Sequence, residues 1–291
     1  MSSDGMTLLE KQQGSDGSIK YLWGLPDDYK SVESIYFKIN DLPNACISTQ
    51  IGCTVGCVFC ETGKQKVLGN LSADEIVTQI AAINEDLKTS QSGFQKLQTA
   101  IVAGMGEPLL NIEALKDAAQ TMLNQDMVDK VTVTTSGILP AFEALKDAPF
   151  SLLSISLHAT TNEMRTKLIP INKKYPIEAL IAAARDLRVQ SDMPIIMNYL
   201  MFKDVNDRDE DLERLIALLD PALFRVKLKQ WNSIDATGLT SSSLDRFAFF
   251  EKGLQDEGFD VSIDYSMGVE LDAGCGQLRS RMRELRNVKR N

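Results

Sequence analysis

Seven short apolar runs recur along this chain, and six of them are followed by a segment with helical spacing of its apolar residues. The runs are "ACISTQIG", "LQTAIVAGM", "KVTVTTSG", "LLSISLHA", "PIIMNYLM", "FRVKLKQW" and "DVSIDY". The intervening segments are "SADEIVTQIAAINEDL", "IEALKDAAQTML", "LPAFEALKD", "IEALIAAARDLRVQ", "DEDLERLIALLD" and "LDRFAFFEKGLQDEG". Runs that are apolar on both faces must be covered on both faces. Amphipathic helices between them supply that cover, which predicts an α/β fold with a parallel sheet. Six strand–helix units predict a partial (β/α)6 barrel of the TIM-like kind, since a closed barrel needs eight. Ligands of such folds sit at the C-terminal ends of the strands. There the sequence carries "GMGEP", "TTSG", "SLHA" and "QWNS", all polar or glycine-bearing.

Ahead of the repeating part, residues 1–18 are polar and rich in Gly and Ser and read as a mobile tail. "IKYLWGL" and "VESIYFK", separated by "PDDYKS", read as a β-hairpin extension over residues 19–45. The barrel is expected over 46–278. "RSRMRELRNVKRN", residues 279–291, is a basic C-terminal tail. Ser72 before the first helical pattern, with Glu75 three residues on, is a capping-box signature.

The chain has 291 residues, 44% of them hydrophobic, enough to bury a large core. It has no apolar run near 20 residues and no signal-like N-terminus, so a cytoplasmic location without a membrane partner is expected. The formal net charge of −9 argues against a protein that wraps nucleic acid with its whole surface. The tail is the exception, with six Lys or Arg against one Glu. It reads either as a solvated end or as a phosphate-contacting arm.

Of five cysteines, Cys53, Cys57 and Cys60 form a C-x3-C-x2-C array within eight residues. An odd number of cysteines in a reducing compartment argues against a disulfide framework. Three thiolates on one loop can hold three irons of a [4Fe–4S] cube, leaving the fourth iron open. Cys46 could instead complete a four-thiolate zinc site, although such sites usually show two separated ligand pairs.

The array, with Phe59 before its last cysteine, resembles the radical S-adenosylmethionine (SAM) signature. "CISTQIGCTVGCVFC", "GMGEPLLN", "TTSGILP", "SISLHA", "LIPINKKY", "DVND" and "GCGQL" occur in the order found in the RlmN and Cfr family. Those are radical SAM adenine methyltransferases of 23S ribosomal RNA, RlmN acting also on tRNA. The resemblance runs from about residue 16 to residue 278. It implies a partial barrel of the radical SAM type, one [4Fe–4S] cluster on Cys53, Cys57 and Cys60, and SAM bound by its open iron. It also implies an electron donor such as flavodoxin or ferredoxin, and RNA as partner.

The resemblance accounts for the other two cysteines. Cys275 matches a methyl-carrying cysteine, and Cys46, seven residues before Cys53, a resolving one. Glu33, thirteen residues before Cys46, matches a carboxylate that accepts or relays a proton. By the implied route Cys275 takes a methyl group from one SAM. A radical from a second SAM removes hydrogen from that methyl group. The resulting methylene radical adds to C2 or C8 of adenine, and a Cys46–Cys275 disulfide releases the product. Gly106, Glu107, Thr134, Ser156, Leu157, His158 and Asn232 match the SAM contacts, Thr134 standing where the family usually has Ser. Two departures bear on the substrate. The family's N-terminal helical domain is expected to be lacking, and "DVSIDYSMGVELDAG" before Cys275 carries acidic residues and no Lys or Arg. A compact RNA methyltransferase, a methyltransferase of a smaller molecule and a non-enzymatic metal-containing RNA-binding module therefore all remain open at this point.

Overall fold

The computed structural model describes residues 5–26, 30–232, 234, 237–265, 269–272, 274 and 276–280. The chain opens with strands β1 (Thr7–Gln13), β2 (Ile19–Gly24), β3 (Ser31–Ile39) and β4 (Leu42–Ile47), each antiparallel to the next. Asn40 and Asp41 both take positive φ, 49° and 62°, and join β3 to β4. A two-residue hairpin of matching twist needs that conformation, and Asn and Asp tolerate it best after Gly. β4 then pairs in parallel with β7 (Leu97–Val102), which begins the barrel wall. Between them lie β5 (Gln50–Ile51) and β6 (Gly69–Asn70), a small antiparallel pair at the neck of the cysteine loop.

The wall continues in parallel through β8 (Val128–Thr135), β9 (Leu152–Ser156), β10 (Ile195–Leu200), β11 (Phe224–Lys229) and β12 (Val261–Asp264). One ten-stranded sheet results, in the order β1-β2-β3-β4-β7-β8-β9-β10-β11-β12. This is the partial (β/α) barrel, and among the described residues no pairing closes β12 onto β1. The crossovers carry α1 (Ala73–Ser90), α2 (Ile112–Asn124), α3 (Asn162–Leu168), α4 (Ile177–Gln190), α5 (Asp209–Leu218) and α6 (Leu244–Asp256).

Alternation along each strand sorts two faces. Ala100, Val102, Val131, Val133, Leu153, Ile155, Met197, Tyr199 and Leu228 are fully buried and lie on the face turned to the helices. The concave face carries the alternate set: Thr134, Ser154, Ser156, Asn198, Lys227, Lys229 and Asp264, in register from β8 to β12. The helix-facing core is mostly Val, Ile and Leu, while the lumen mixes these polar groups with Ile101, Ile196 and Leu200. Apolar walls with a few placed polar groups suit a lumen that holds a ligand instead of packing on itself.

Two expectations are corrected. Residues 7–13, expected within a mobile tail, form a strand, so the extension has three strands ahead of β4. Pairing on β2 explains it: backbone hydrogen bonds compensate for a polar side-chain pattern, and Lys11 is tied to Asp86 of α1 at 2.6 Å. "LPAFEALKD" is not one helix but two short 3-10 turns, Leu139–Ala141 and Glu143–Leu145. Pro140 has no N–H to donate, and nine residues leave little room for a helix between β8 and β9. The expected capping box on α1 is present, with Ser72 Oγ accepting from Glu75 N at 3.2 Å and Glu75 Oε2 accepting from Ser72 N at 2.7 Å. The basic tail falls at 281–291 outside the described residues. No helix among the described residues is long and apolar enough to cross a membrane.

Candidate functional site

The cysteine loop leaves β5 through Gly52 (φ 84°), where a Cβ would stand 2.5 Å from the carbonyl oxygen of Lys66. It packs on its own apolar cluster of Val55, Phe59, Ala159, Leu168, Ile169, Leu200, Phe202 and Trp231. Ala159, Leu200, Phe202 and Trp231 stand at or just past the C-terminal ends of β9, β10 and β11, so the array sits over the mouth of the barrel. Trp231 Nε1 donates to the Phe59 carbonyl at 3.1 Å, and Val58 N donates to the Leu168 carbonyl at 3.1 Å.

Gly106 and Glu107 follow β7. Gly106 has φ 104°, and a Cβ there would stand 2.6 Å from the Gln50 side chain, so only glycine lets the turn lie against β5. Glu107 is buried, and its carboxylate accepts from Thr135 Oγ1, from Leu109 N at 3.1 Å and from Ser136 N at 2.8 Å. Burial raises its pKa despite those bonds. Glu107 thus ties the end of β7 to the end of β8. Thr134 points into the lumen, one residue before the Thr135 that binds Glu107.

His158 has φ 54° and is buried edge-on to Phe59, with ring centroids 5.2 Å apart. Its Nδ1 accepts from Leu200 N at 3.0 Å. Burial, with Arg165 and Lys229 nearby, lowers its pKa to about 3, so the ring is neutral. Sequence reasoning missed Arg165, which is wholly buried in α3. Its guanidinium donates to the carbonyls of Ser136 (2.8 Å), Ser156 (2.9 Å) and Leu157 (3.2 Å) and to Asn172 Oδ1 (2.9 Å). One side chain therefore fastens the ends of β8 and β9 together. Its one signal in the sequence is an arginine just before the "LIPINKKY" stretch, which hydrophobic pattern reading passes over.

Glu33 and Cys46 share a face at the other wall. Ile35 pairs with Cys46, so Glu33, two residues earlier on β3, lies on the same concave face diagonally across from the thiol. Glu33 is buried, with Lys20 Nζ 3.7 Å from Oε1 and Arg279 N donating to Oε2 at 2.9 Å. Arg279 belongs to a C-terminal strap. Gly276 O accepts from Glu61 N at 2.6 Å, and Thr62 Oγ1 donates to Leu278 O at 2.6 Å. Gln277 Oε1 accepts from Asn232 Nδ2 at 3.2 Å and from Gly274 N at 2.8 Å. Gly276 has φ 83°, and a Cβ there would lie 2.7 Å from the Phe59 carbonyl oxygen, which explains glycine on a segment pressed against the cysteine loop. Cys275 itself lies outside the described residues. Described residues on either side of it contact the cysteine loop and Asn232.

The expected [4Fe–4S] cluster is corrected here. Among the described residues no group of three or more His, Cys, Asp or Glu side chains is placed to hold a metal ion. The three thiols share one loop but have separate polar neighbours. Cys53 is bonded by the backbone of Val55 and Gly56, Cys57 by Ser136, and Cys60 by Gly63 and Thr62. Burial pushes the Cys53 thiol up to about 12 and raises Cys57 and Cys60 as well, with the neighbouring thiols of the array adding to the rise at Cys53 and Cys57. Closeness in sequence did not translate into a converging ligand set.

Comparison with known proteins agrees with this architecture. Residues 47–216 match the radical SAM superfamily. The dual-specificity RNA methyltransferase RlmN of Dinoroseobacter shibae is 34% identical over 285 residues, spanning 94% of this chain and 72% of that protein. RlmN of Geobacter sulfurreducens is 35% identical over 275 residues, spanning 93% and 74%. A radical SAM methyltransferase from Sphaerobacter thermophilus superposes with a TM-score of 0.88 at 33% identity, covering 94% of this chain and 81% of that one. With the open parallel barrel, the cysteine loop over its mouth and the glycine-flanked strap in place, this chain belongs to the radical SAM superfamily and, within it, to the RlmN family of methyltransferases.

Proposed function

We propose that this methyltransferase uses SAM to methylate a ring carbon of adenine, C2 or C8, in ribosomal or transfer RNA. The observation that carries the reading is the strap. Bonds from Gly276 and Leu278 to the cysteine loop, and from Arg279 to Glu33, set residues 276–279 between that loop and the β3–β4 wall. In this reading Cys275 is the methyl carrier. Its thiolate attacks the SAM methyl group, a new carbon–sulfur bond forms, the sulfonium bond breaks and S-adenosylhomocysteine leaves. Thiolates are strong nucleophiles, whereas the adenine ring carbon is a poor one, so a carrier thiol separates two steps that one group would perform badly. Cys46 is the second thiol of the pair. Glu33 is the proton-accepting or proton-relaying group, with Lys20 beside it to stabilise its charged form.

SAM occupies the mouth of the barrel in this reading, where Gly106, Glu107, Thr134, Ser156, Leu157, His158 and Asn232 stand at or next to strand ends. Several of them serve through backbone and packing: Ser156 and Leu157 present carbonyls to Arg165, and His158 braces Phe59. A cytoplasmic enzyme follows, since reduced thiols and RNA coexist there. A reductant of the flavodoxin or ferredoxin class is the further partner that the family's chemistry calls for.

Methyl-labelled SAM supplied to an extract from cells lacking the enzyme provides the test. Label is expected in RNA with the wild-type chain. With Cys275→Ala, RNA label is expected to vanish, together with the single extra methyl group on the Cys275 peptide seen by mass spectrometry. Full RNA labelling by Cys275→Ala would overturn the carrier assignment. Label confined to a nucleic-acid-free fraction would replace RNA by a smaller substrate.

A further inference from the structure

The lumen wall at β10 and β11 holds an acceptor without a donor. Asn198 is 4% exposed, and its Oδ1 has no hydrogen-bond partner. A buried carbonyl oxygen left unpaired is costly, and such atoms in native folds are usually reserved for a ligand or an ordered water. Register places Asn198 on the concave face, between Ser156 of β9 and Lys227 of β11. Lys227 is half-buried, and its ammonium stands 3.3 Å from Asp264 Oδ2 on β12. Burial raises the Asp264 pKa, but Lys229 and Lys227 outweigh it and hold the carboxyl below its ordinary range. Asp264 is therefore an anion at neutral pH and pairs with the Lys227 ammonium on the concave face. Asn198 and Lys227 are register partners on neighbouring strands whose backbones lie about 5 Å apart, so an acceptor and a donor share one stretch of the wall.

We propose that Asn198 and Lys227 together recognise the amino-bearing edge of an adenine ring. The exocyclic amine donates to Asn198 Oδ1, and the adjacent ring nitrogen accepts from Lys227 Nζ. Adenine shows a donor beside an acceptor along both of its polar edges. Hypoxanthine and guanine place a carbonyl oxygen where adenine has the amine, opposite an oxygen that has no proton to offer. The pair therefore selects adenine both by an added bond and by a repulsion against the alternative. The inference rests on the SAM-dependent adenine methylation proposed above, in which two adenines are present, that of SAM and that of the substrate. The chemistry is shared between them, and the test separates the sources.

Calorimetry would compare S-adenosylhomocysteine with S-inosylhomocysteine. With S-adenosylhomocysteine saturating, it would then compare adenosine monophosphate with inosine monophosphate. The wild-type chain is expected to prefer the adenine member by about tenfold or more in one of the two arms, since an unpaired buried acceptor is costly to leave. Preference in the first arm assigns the wall to SAM, and in the second to the substrate base. Asn198→Leu should bring that ratio close to one, Lys227→Met should lower it, and Asn198→Asp, which keeps an acceptor, should retain more of it than Asn198→Leu. Circular dichroism and unchanged melting would certify that each variant is folded, and the wild-type comparison stands without any variant. Binding of the probes with no adenine preference in either arm would overturn this inference alone and leave Oδ1 to a solvent molecule. A wild-type chain that bound neither S-adenosylhomocysteine nor adenosine monophosphate would overturn the SAM reading together with it.

Discussion

At the scale of single residues, burial has converted several side chains from reactive groups into fittings. His158, the one histidine of the chain, accepts from a backbone amide at Nδ1 and carries no charge at neutral pH. Its folded pKa, about 3, lies below the ordinary 6.5. Between those values the unfolded chain binds the proton and the folded chain does not. The stabilising contribution is therefore present above pH 6.5 and is lost as pH falls toward 3. His158→Asn keeps an acceptor and suits the positive φ. The melting temperature of this variant should fall less steeply than that of the wild type from pH 6.5 to 4, as followed by circular dichroism. Parallel curves would show that the imidazole titrates normally. In the sequence "SLHA" at a strand end was legible as a site position. That its ring braces Phe59 was not, because Phe59 comes from a loop about a hundred residues away in the chain.

At the scale of elements, α3 is the clearest case of structure that pattern reading passes over. Seven residues give too short a stripe for helical periodicity to register. Thr161 caps it through a bond from Met164 N at 3.3 Å. Its main product is Arg165, whose donors reach three carbonyls and one amide oxygen on three separate segments. Arg165→Met would keep most of the volume but leave those acceptors unpaired. Unfolding in urea should show a loss of about 3 kcal/mol or more, because each orphaned buried partner costs about 1–3 kcal/mol. Arg165→Lys should recover little of it, since one ammonium does not span the fork of a guanidinium. A loss below about 1 kcal/mol for Arg165→Met would mean that solvent or a shifted side chain satisfies the acceptors.

At the scale of the whole molecule, the antiparallel extension and the barrel share one core. A single apolar cluster runs from Trp23 of β2 through Ile47, Val102 and Met197 to Phe250 of α6. The sheet is continuous over the same span. The chain is therefore expected to unfold as one cooperative unit. Its two tryptophans report from distant places, Trp23 in the extension and Trp231 beneath the cysteine loop. Trp23→Phe and Trp231→Phe each leave one reporter. In each variant the fluorescence transition in urea should coincide with the loss of far-ultraviolet circular dichroism. An earlier transition at Trp23 in the Trp231→Phe chain would divide the extension from the barrel.

Periodicity alone determined the barrel: strands apolar on both faces leave a chain no alternative to helical cover, and that constraint is local enough to read residue by residue. Motif order alone determined the family. Tertiary structure decided which of these meet. Glu33 and Cys46 share a face because the register of β3 on β4 pairs Ile35 with Cys46, a choice made by a two-residue turn at Asn40–Asp41. The strap reaches Glu33 through a backbone amide more than two hundred residues away in the chain. The three cysteines of the array, close in sequence and most legible of all, bond to different local partners in the folded chain. Spacing limits where side chains can go, but burial and hydrogen bonding select among the positions it allows, and both depend on residues that only the folded chain brings near.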